Sequence, residues 1–243
     1  MLGTGGQAAD KRFRFRAPGT AAEGLKEAGV DAVSLANNHA GDFGVGGRRS
    51  TIRHLRQAEL AWTGAGEDLA AALEPVRFTG RNGLRVAVFG ASLVVPERFL
   101  AGPEHPGVVH LPEHETALAA AMTQARRRGE LVIVMMHWGE EYTARVGEGQ
   151  RDWARGLIAT GARVVVGAHP HHPQGVEVWR ARPVAYSLGN LVFSGEGPNP
   201  GFREGQILSL DSGGRGRELK WRVARRGTEP GNPVQTPTLG GRR

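Results

Sequence analysis

Two short apolar runs that end in histidine restrict the fold of this chain more than any other feature. Leu131–Met136 is followed directly by His137, and Arg163–Gly167 leads into the segment AHPHH, which contains His169 and His171. Continuous apolar runs of this length are typical of strands that are buried on both faces. Because polar side chains at the ends of such strands lie over a rigid sheet, we predict that these histidines form one metal-binding site.

The remaining pattern predicts an α/β fold. Strand-like runs, polar loops and helices alternate through the first half of the chain, and the second half ends in a series of β-strands. Helices are predicted at Glu113–Arg128, which Gly129 ends, and at Gly149–Thr160, which Gly161 ends. Hairpins are predicted at Val76–Phe89 and Gly175–Ser187. This mixture favours two packed sheets flanked by helices, in a single domain over residues 1–227 with a disordered tail at 228–243.

Composition excludes several classes of protein. The chain has no cysteine, so disulfides, thiolate zinc sites and thiol catalysis are absent. No apolar run is long enough to span a bilayer, and Met1–Pro18 has no apolar signal core. The net charge of +7 comes from dispersed arginines without any nucleic-acid motif. We interpret them as a solvated surface whose field helps to attract an anionic or phosphorylated substrate, and we predict no nucleic-acid partner.

The histidines after the second run are suited to metal binding. His169 and His171 flank Pro170, which keeps the segment extended or turned rather than helical. In an extended segment the two side chains point the same way and reach two neighbouring ions or one. We leave His172 out of the site as an exposed residue.

A third polar cluster, Asn38-His39, also follows a strand-like run. An amide oxygen is an acceptable ligand for a hard cation, and a neighbouring histidine can donate a proton to a leaving group. Other candidates carry weaker signals. Glu141 either orients a ligand or is a solvated loop acid, Asn190 contacts substrate or holds a loop, and Asp42 caps or pins its turn.

Four segments in this order and spacing resemble one known family. They read VDAVSLANNHAGDFG, VMMHWGEEY, GARVVVGAHPHHPQGVE and VAYSLGNLVF. They are similar to the CapA family of capsule and poly-γ-glutamate synthesis proteins, which have the calcineurin-like metallophosphatase fold. The resemblance extends from about Phe13 to Val223, and it implies a four-layer α/β/β/α sandwich with a two-metal site at the strand ends.

The resemblance also implies a role for each site residue. Asn38 and His137 become ligands of one metal, His169 and His171 give one ligand to each metal, and His39 lies near the scissile phosphate. The expected cofactor is one or two divalent metal ions. Imidazole and amide ligands are compatible with manganese, iron and zinc.

The N-terminus departs from the family pattern. Relatives begin with a strand that ends in a Gly-Asp motif, followed by an Asn-Leu-Glu motif, and these acids bridge and complete the metal site. Met1–Asp10 contains no such strand, and Asp10 is not in a matching context. We therefore expect a chain that lacks the first strand, so that one metal keeps Asn38, His137 and His169 while the other keeps only His171.

Two functions from different classes follow from this sequence. The first is a metal-dependent, phosphoesterase-like hydrolase of cell-envelope polymer metabolism. The second is a non-catalytic scaffold or accessory component of a machine that makes or exports capsule polymer, inactive because the bridging acids are lacking. The resemblance implies a capsule or poly-γ-glutamate synthesis complex as partner, and relatives that are often membrane-anchored and extracytoplasmic.

Overall fold

The computed structural model describes residues 1–193, 198, 200–212 and 219–227, and the side chains up to residue 224. By its internal contacts the chain divides into a first unit, Met1–Val76 with Val88–Ala121, and a second unit, Arg77–Ala87 with Met122–Arg243. The tail predicted at 228–243 lies outside the described residues, and the single domain over 1–227 stays a prediction.

The α-helices are numbered in chain order. They are α1 Ala21–Glu27, α2 Gly44–Gln57, α3 Leu69–Leu73, α4 Glu115–Arg127 and α5 Glu148–Thr160.

The strands are numbered in the same way. They are β1 Ala32–Ser34, β2 Ala61–Thr63, β3 Ala65–Gly66, β4 Val76–Thr79, β5 Arg85–Ser92, β6 Gly107–Val108, β7 Leu131–His137, β8 Val164–Ala168, β9 Val176–Trp179, β10 Arg182–Ala185, β11 Glu204–Ser212 and β12 Leu219–Gly227.

The main sheet is mixed and has six strands in the order β4-β5-β7-β8-β10-β9. Strands β7, β8 and β10 are parallel neighbours, and β9 pairs with β10 as an antiparallel hairpin. Parallel strands need a crossover connection, and α5 lies between β7 and β8 in the sequence. The predicted α/β class is therefore confirmed.

Smaller sheets complete the described topology. In the first unit β1 pairs with β2 in parallel and β3 pairs with β6 in antiparallel orientation. In the second unit β11 and β12 form a long antiparallel pair. The first unit has a small core around Ala22, Leu55 and Leu60.

Apolar burial explains why β7 and β8 form where the sequence predicts them. Val132, Val134 and Met136 of β7 are buried, and so are Val164 and Val165 of β8. The α5 helix begins one residue before the predicted start, and Gly161 ends it with a φ of 123° that favours glycine. Among the described helices, none is both long and apolar enough to cross a membrane.

Gly167 allows an unusually close approach next to the histidines. A Cβ atom at this position would lie 1.9 Å from the backbone oxygen of Tyr186 and 2.4 Å from the indole nitrogen of Trp138. That indole donates a hydrogen bond of 2.8 Å to the same Tyr186 oxygen, and both aromatic residues are fully buried. The space beside β8 is thus filled by backbone and by a buried ring.

We predict that Gly167→Ala lowers the free energy of unfolding by roughly 2–3 kcal/mol, because neither the Tyr186 carbonyl nor the Trp138 ring can retreat from the new methyl group. Gly175→Ala is the matched control, since a Cβ atom there meets nothing within 4 Å. Denaturant titration of both variants measures the difference. Equal stability of the two variants would contradict the packing described for β8.

Candidate functional site

The parallel register of the second unit brings His137 and His169 together. His137, the last residue of β7, pairs with Ala168, the last residue of β8, so that His169 follows directly. The two imidazole ring centroids are 4.6 Å apart with an interplanar angle of 49°. His169 is buried, with 8% of its surface exposed. The sheet therefore places two imidazoles side by side, one of them shielded from water.

The segment from His169 to His171 is a turn, and the extended alternative is wrong. His169 has a φ of 102° and His171 a φ of 52°, both in the region that favours glycine. The turn separates the two ring centroids by 6.4 Å. Two strained non-glycine residues on either side of Pro170 are a feature that clusters at functional sites.

Asn190 determines which nitrogen of His171 carries the proton. The Asn190 Nδ2 donates a hydrogen bond of 2.8 Å to the backbone oxygen of Phe202, which can only accept. The amide oxygen of Asn190 therefore faces His171, and it lies 2.8 Å from Nδ1. Since this oxygen also only accepts, Nδ1 is the protonated nitrogen, and Nε2 of the neutral ring holds the lone pair. Partners of this kind orient metal-binding histidines.

An aromatic cluster surrounds His171, and sequence reasoning missed it. Tyr142 stacks on the ring at 6.0 Å, and Phe193 and Phe202 approach it at 5.2 and 5.6 Å between centroids. Together they restrict the rotation of the His171 ring. Phe193 belongs to the LVF segment after Asn190, and this proximity to a predicted site residue was the available signal.

Glu141 lies next to this cluster and is exposed. Its carboxylate interacts with Tyr142. Burial, as the larger cause, and the negative charge of Glu141 both raise the pKa of the Tyr142 hydroxyl. The contact is with the aromatic ring that stacks on His171, so Glu141 is connected to the histidine turn through Tyr142.

The first unit contains the second predicted cluster, built around Asp42. The Asp42 side chain is fully buried, and its Oδ2 accepts hydrogen bonds of 2.8 Å from the Phe15 N–H and from His39 Nδ1. Lys11 donates hydrogen bonds of 2.6 Å to Asp42 Oδ1 and to the backbone oxygen of Asn38. The carboxylate thus joins the N-terminal segment to the Asn38-His39 turn.

The protonation states in this cluster follow from its geometry. Burial raises the pKa of the Asp42 carboxyl, but hydrogen bonds from Lys11, the Phe15 N–H and His39 outweigh it and lower the pKa below its ordinary value. Burial, together with the nearby positive charges of Lys11 and the N-terminus, lowers the pKa of His39 below its ordinary value, although Asp42 acts to raise it. The neutral His39 ring therefore donates Nδ1–H to Asp42, which leaves its lone pair on Nε2. Lys11 Nζ lies 3.3 Å from Nδ1, an electrostatic contact.

Sequence reasoning assigned Asp42 only to its turn, and this interpretation was incomplete. The turn is held by Asn37, whose side-chain oxygen accepts the His39 N–H at 2.9 Å. The spacing of His39 and Asp42, three residues apart, was the signal that the two side chains can meet. Nothing in the sequence around Lys11 indicates that it reaches this carboxylate.

The donor chemistry of the second unit fits a divalent transition metal. His137 and His169 lie close together, and His171 has an Asn190-oriented ring with its lone pair on Nε2. Within the part of the chain that the structure describes, no group of three or more His, Asp or Glu side chains is close enough to enclose an ion. The observed geometry supports a histidine pair, and the complete ligand set stays a prediction.

Comparison with known proteins points to one family. The model of the family described as bacterial capsule synthesis protein PGA_cap matches residues 1–195. The chain is 33% identical over 189 residues to the capsule biosynthesis protein CapA of Bacillus anthracis, which covers 77% of the chain and 46% of that protein. It is 33% identical over 185 residues to the PGA biosynthesis protein CapA of Bacillus subtilis (strain 168), with 76% and 48% covered.

A mycobacterial relative gives a similar result. The chain is 34% identical over 180 residues to a probable polyglutamine synthesis accessory protein of Mycobacterium tuberculosis (strain ATCC 25618 / H37Rv), covering 70% of the chain and 47% of that protein. The chain therefore spans about half the length of these curated relatives.

We predict that Asp42→Asn lowers the free energy of unfolding by roughly 2–3 kcal/mol at neutral pH, because Lys11 loses its charged partner in a partly buried position. The folded-state pKa of Asp42 is lowered, so its contribution is present above the ordinary carboxyl pKa and is lost as the pH falls through the folded value. Denaturant titrations below and above about pH 4 measure this dependence. The exposed Asp31→Asn is the control, and an equal loss in both variants would overturn the assignment.

We predict that Asn190→Leu reduces the fraction of His171 that is protonated at Nδ1, because the accepting oxygen is removed. Nitrogen-15 NMR of the imidazole rings in metal-free protein measures this fraction. His172 is an internal control, since its Nδ1 lies 2.9 Å from the Pro173 backbone oxygen, an acceptor that the substitution leaves in place. An unchanged His171 spectrum would show that Asn190 does not determine the tautomer.

Proposed function

This chain belongs to the family of bacterial capsule synthesis proteins described as PGA_cap, and we propose that it acts in the synthesis of a capsule polymer of the poly-γ-glutamate type. The match over residues 1–195 supports the proposal, as do the names of the relatives, which refer to capsule, PGA or polyglutamine synthesis. The substrate is correspondingly anionic, in agreement with the net charge of +7.

The activity we propose is that of a metal-dependent, phosphoesterase-like hydrolase of cell-envelope polymer metabolism. The adjacent His137 and His169 rings at the ends of β7 and β8 are the observation that carries it. The strained turn at His169 and His171 adds support, since such strain persists where a function requires it. The calcineurin-like four-layer sandwich implied by the family resemblance belongs to the same proposal.

Histidine side chains would hold the ion in this proposal. His137 and His169 supply two imidazoles, and His171 supplies Nε2 because Asn190 occupies its Nδ1. The family resemblance adds Asn38 as an amide ligand. When bound, manganese, iron or zinc would lower the pKa of a coordinated water and stabilise negative charge on phosphoryl oxygens.

His39 has the properties of a group that transfers protons in this proposal. The buried Asp42 carboxylate fixes the ring through Nδ1–H, so that Nε2 is the nitrogen that accepts or returns a proton. Its lowered pKa favours the neutral ring near neutral pH, and proton donation to a leaving group becomes more available as the pH falls. Lys11 holds the opposite side of Asp42 and keeps that carboxylate ionised.

A non-catalytic accessory role is the second candidate. One relative is itself named a probable accessory protein, and the described residues contain no group of three or more His, Asp or Glu side chains that could enclose an ion. Family and fold do not by themselves establish an enzymatic activity. Such a protein would contribute binding surface to a polymer-synthesis complex.

We predict that the purified chain retains a divalent metal and that His169→Ala loses it, because the variant removes one ring of the adjacent pair. Metal content by mass spectrometry measures this, with His172→Ala as the control from the same turn. Metal-dependent hydrolysis of a phosphodiester such as bis(p-nitrophenyl) phosphate is then compared between the variants.

Each result distinguishes the candidates. If His169→Ala loses both the metal and the phosphodiester hydrolysis while His172→Ala keeps them, the results support the hydrolase proposal. Metal binding without turnover of the phosphodiester favours the accessory role. Equal metal content in both variants would contradict the assignment of His169 as a ligand.

A further inference from the structure

The first unit has an arginine-lined groove that neither histidine cluster uses. Its volume is about 280 Å³, and it lies along α2. Three guanidinium side chains line it, from Arg49, Arg53 and Arg56, together with Trp62 and Glu67. The rest of the lining is apolar or small, including Ile52. All of these residues belong to the first unit, so the groove is complete within it.

The arginine spacing places a row of positive charge on one helix face. Arg49, Arg53 and Arg56 stand at positions i, i+4 and i+7 of α2. At 1.5 Å of rise per residue, they are about 6 Å and about 4.5 Å apart along the helix axis. All three side chains are exposed. The row is therefore open to solvent and suited to a ligand with repeated negative charges.

Glu67 shows the kind of group that this row binds. Its carboxylate accepts from Arg49 Nε at 2.8 and 3.1 Å and from Arg49 Nη2 at 2.7 Å, a forked contact that is typical of arginine with carboxylates. The two side chains are 60% and 50% exposed. Because an exposed ion pair of this kind contributes little to stability, a carboxylate of a ligand that is also held by the neighbouring arginines can replace Glu67.

The other two arginines are placed for further carboxylates. Arg53 has a contact of 3.3 Å with the neutral hydroxyl of Ser50, and Arg56 lies over the Trp62 ring at 5.7 Å. Among the described residues that line the groove, three guanidinium groups thus face the single carboxylate of Glu67. The excess is two positive charges.

We propose that this groove binds a polycarboxylate chain, with successive carboxylates on the three arginines and the intervening methylene groups on the apolar part of the lining around Ile52. The inference rests on the proposed role in poly-γ-glutamate synthesis, because that polymer has both a carboxylate and methylene groups in every residue. Forked arginine contacts match carboxylate geometry. A nucleic acid fits less well, since stacking of bases needs free aromatic faces and Arg56 covers Trp62.

Binding of labelled poly-γ-glutamate of defined length, followed by fluorescence anisotropy, tests this proposal. The double variant Arg53→Gln with Arg56→Gln is expected to weaken binding by about ten-fold, because two carboxylate contacts are lost. The matched control is Arg81→Gln with Arg127→Gln, which removes the same charge from two exposed arginines outside the groove. Raising the salt concentration should weaken binding of the unaltered chain.

A variant that removes a negative charge distinguishes binding in the groove from attraction by the net charge of the chain. Glu67→Gln removes the internal carboxylate from Arg49, and we expect it to tighten polymer binding by several-fold. Glu104→Gln removes the same charge from another exposed position and serves as its control. A gain with Glu67→Gln alone supports competition for Arg49.

These results test polymer binding in the groove independently of the proposed phosphodiester hydrolysis. Loss confined to the groove double variant supports the proposal, whether or not the chain binds metal or cleaves a phosphodiester. Equal losses in the two double variants would assign binding to net charge and overturn it. Absence of polymer binding, or stronger binding of a DNA oligonucleotide through the same arginines, would also overturn it while leaving the histidine cluster to its own metal test.

Discussion

The parallel register between β7 and β8 is the constraint on which the histidine pair depends. His137 and His169 meet because His137 pairs with Ala168, and a slip of one residue would send alternate side chains to the opposite face. Core packing holds this register, since Gly167 leaves room for the Trp138 ring and the Tyr186 oxygen. The candidate ligands are therefore positioned by the apolar residues beside them.

In the first unit, a buried charged group rather than apolar packing positions the candidate side chains. The buried carboxylate of Asp42 accepts hydrogen bonds from Lys11, the Phe15 backbone and His39. It thereby joins segments that are distant in the sequence. Burial alone would disfavour this charge, but the three donors reverse the effect. A charged group thus organises this cluster, whereas apolar packing organises the histidine pair.

Local signals in the sequence predicted the elements but not their long-range partners. Apolar runs and terminating glycines placed β7, β8 and α5 to within one residue of their bounds. The position of β10 beside β8 has no local signal, because strand order depends on tertiary packing. Lys11 was missed for the same reason, since 31 residues separate it from Asp42. Pro170 is compatible with both extended and turned backbone, so the turn at His169 required the structure.

The Arg49–Glu67 contact has a consequence for selectivity if the groove binds polymer. Glu67 is tethered to the same chain, so it competes for Arg49 at a high effective concentration that a single free carboxylate cannot match. A polymer that is already held at Arg53 and Arg56 presents its next carboxylate at a comparable local concentration and can displace Glu67. The internal carboxylate would then act as a length filter, which rejects free glutamate and short fragments and admits the extended chain.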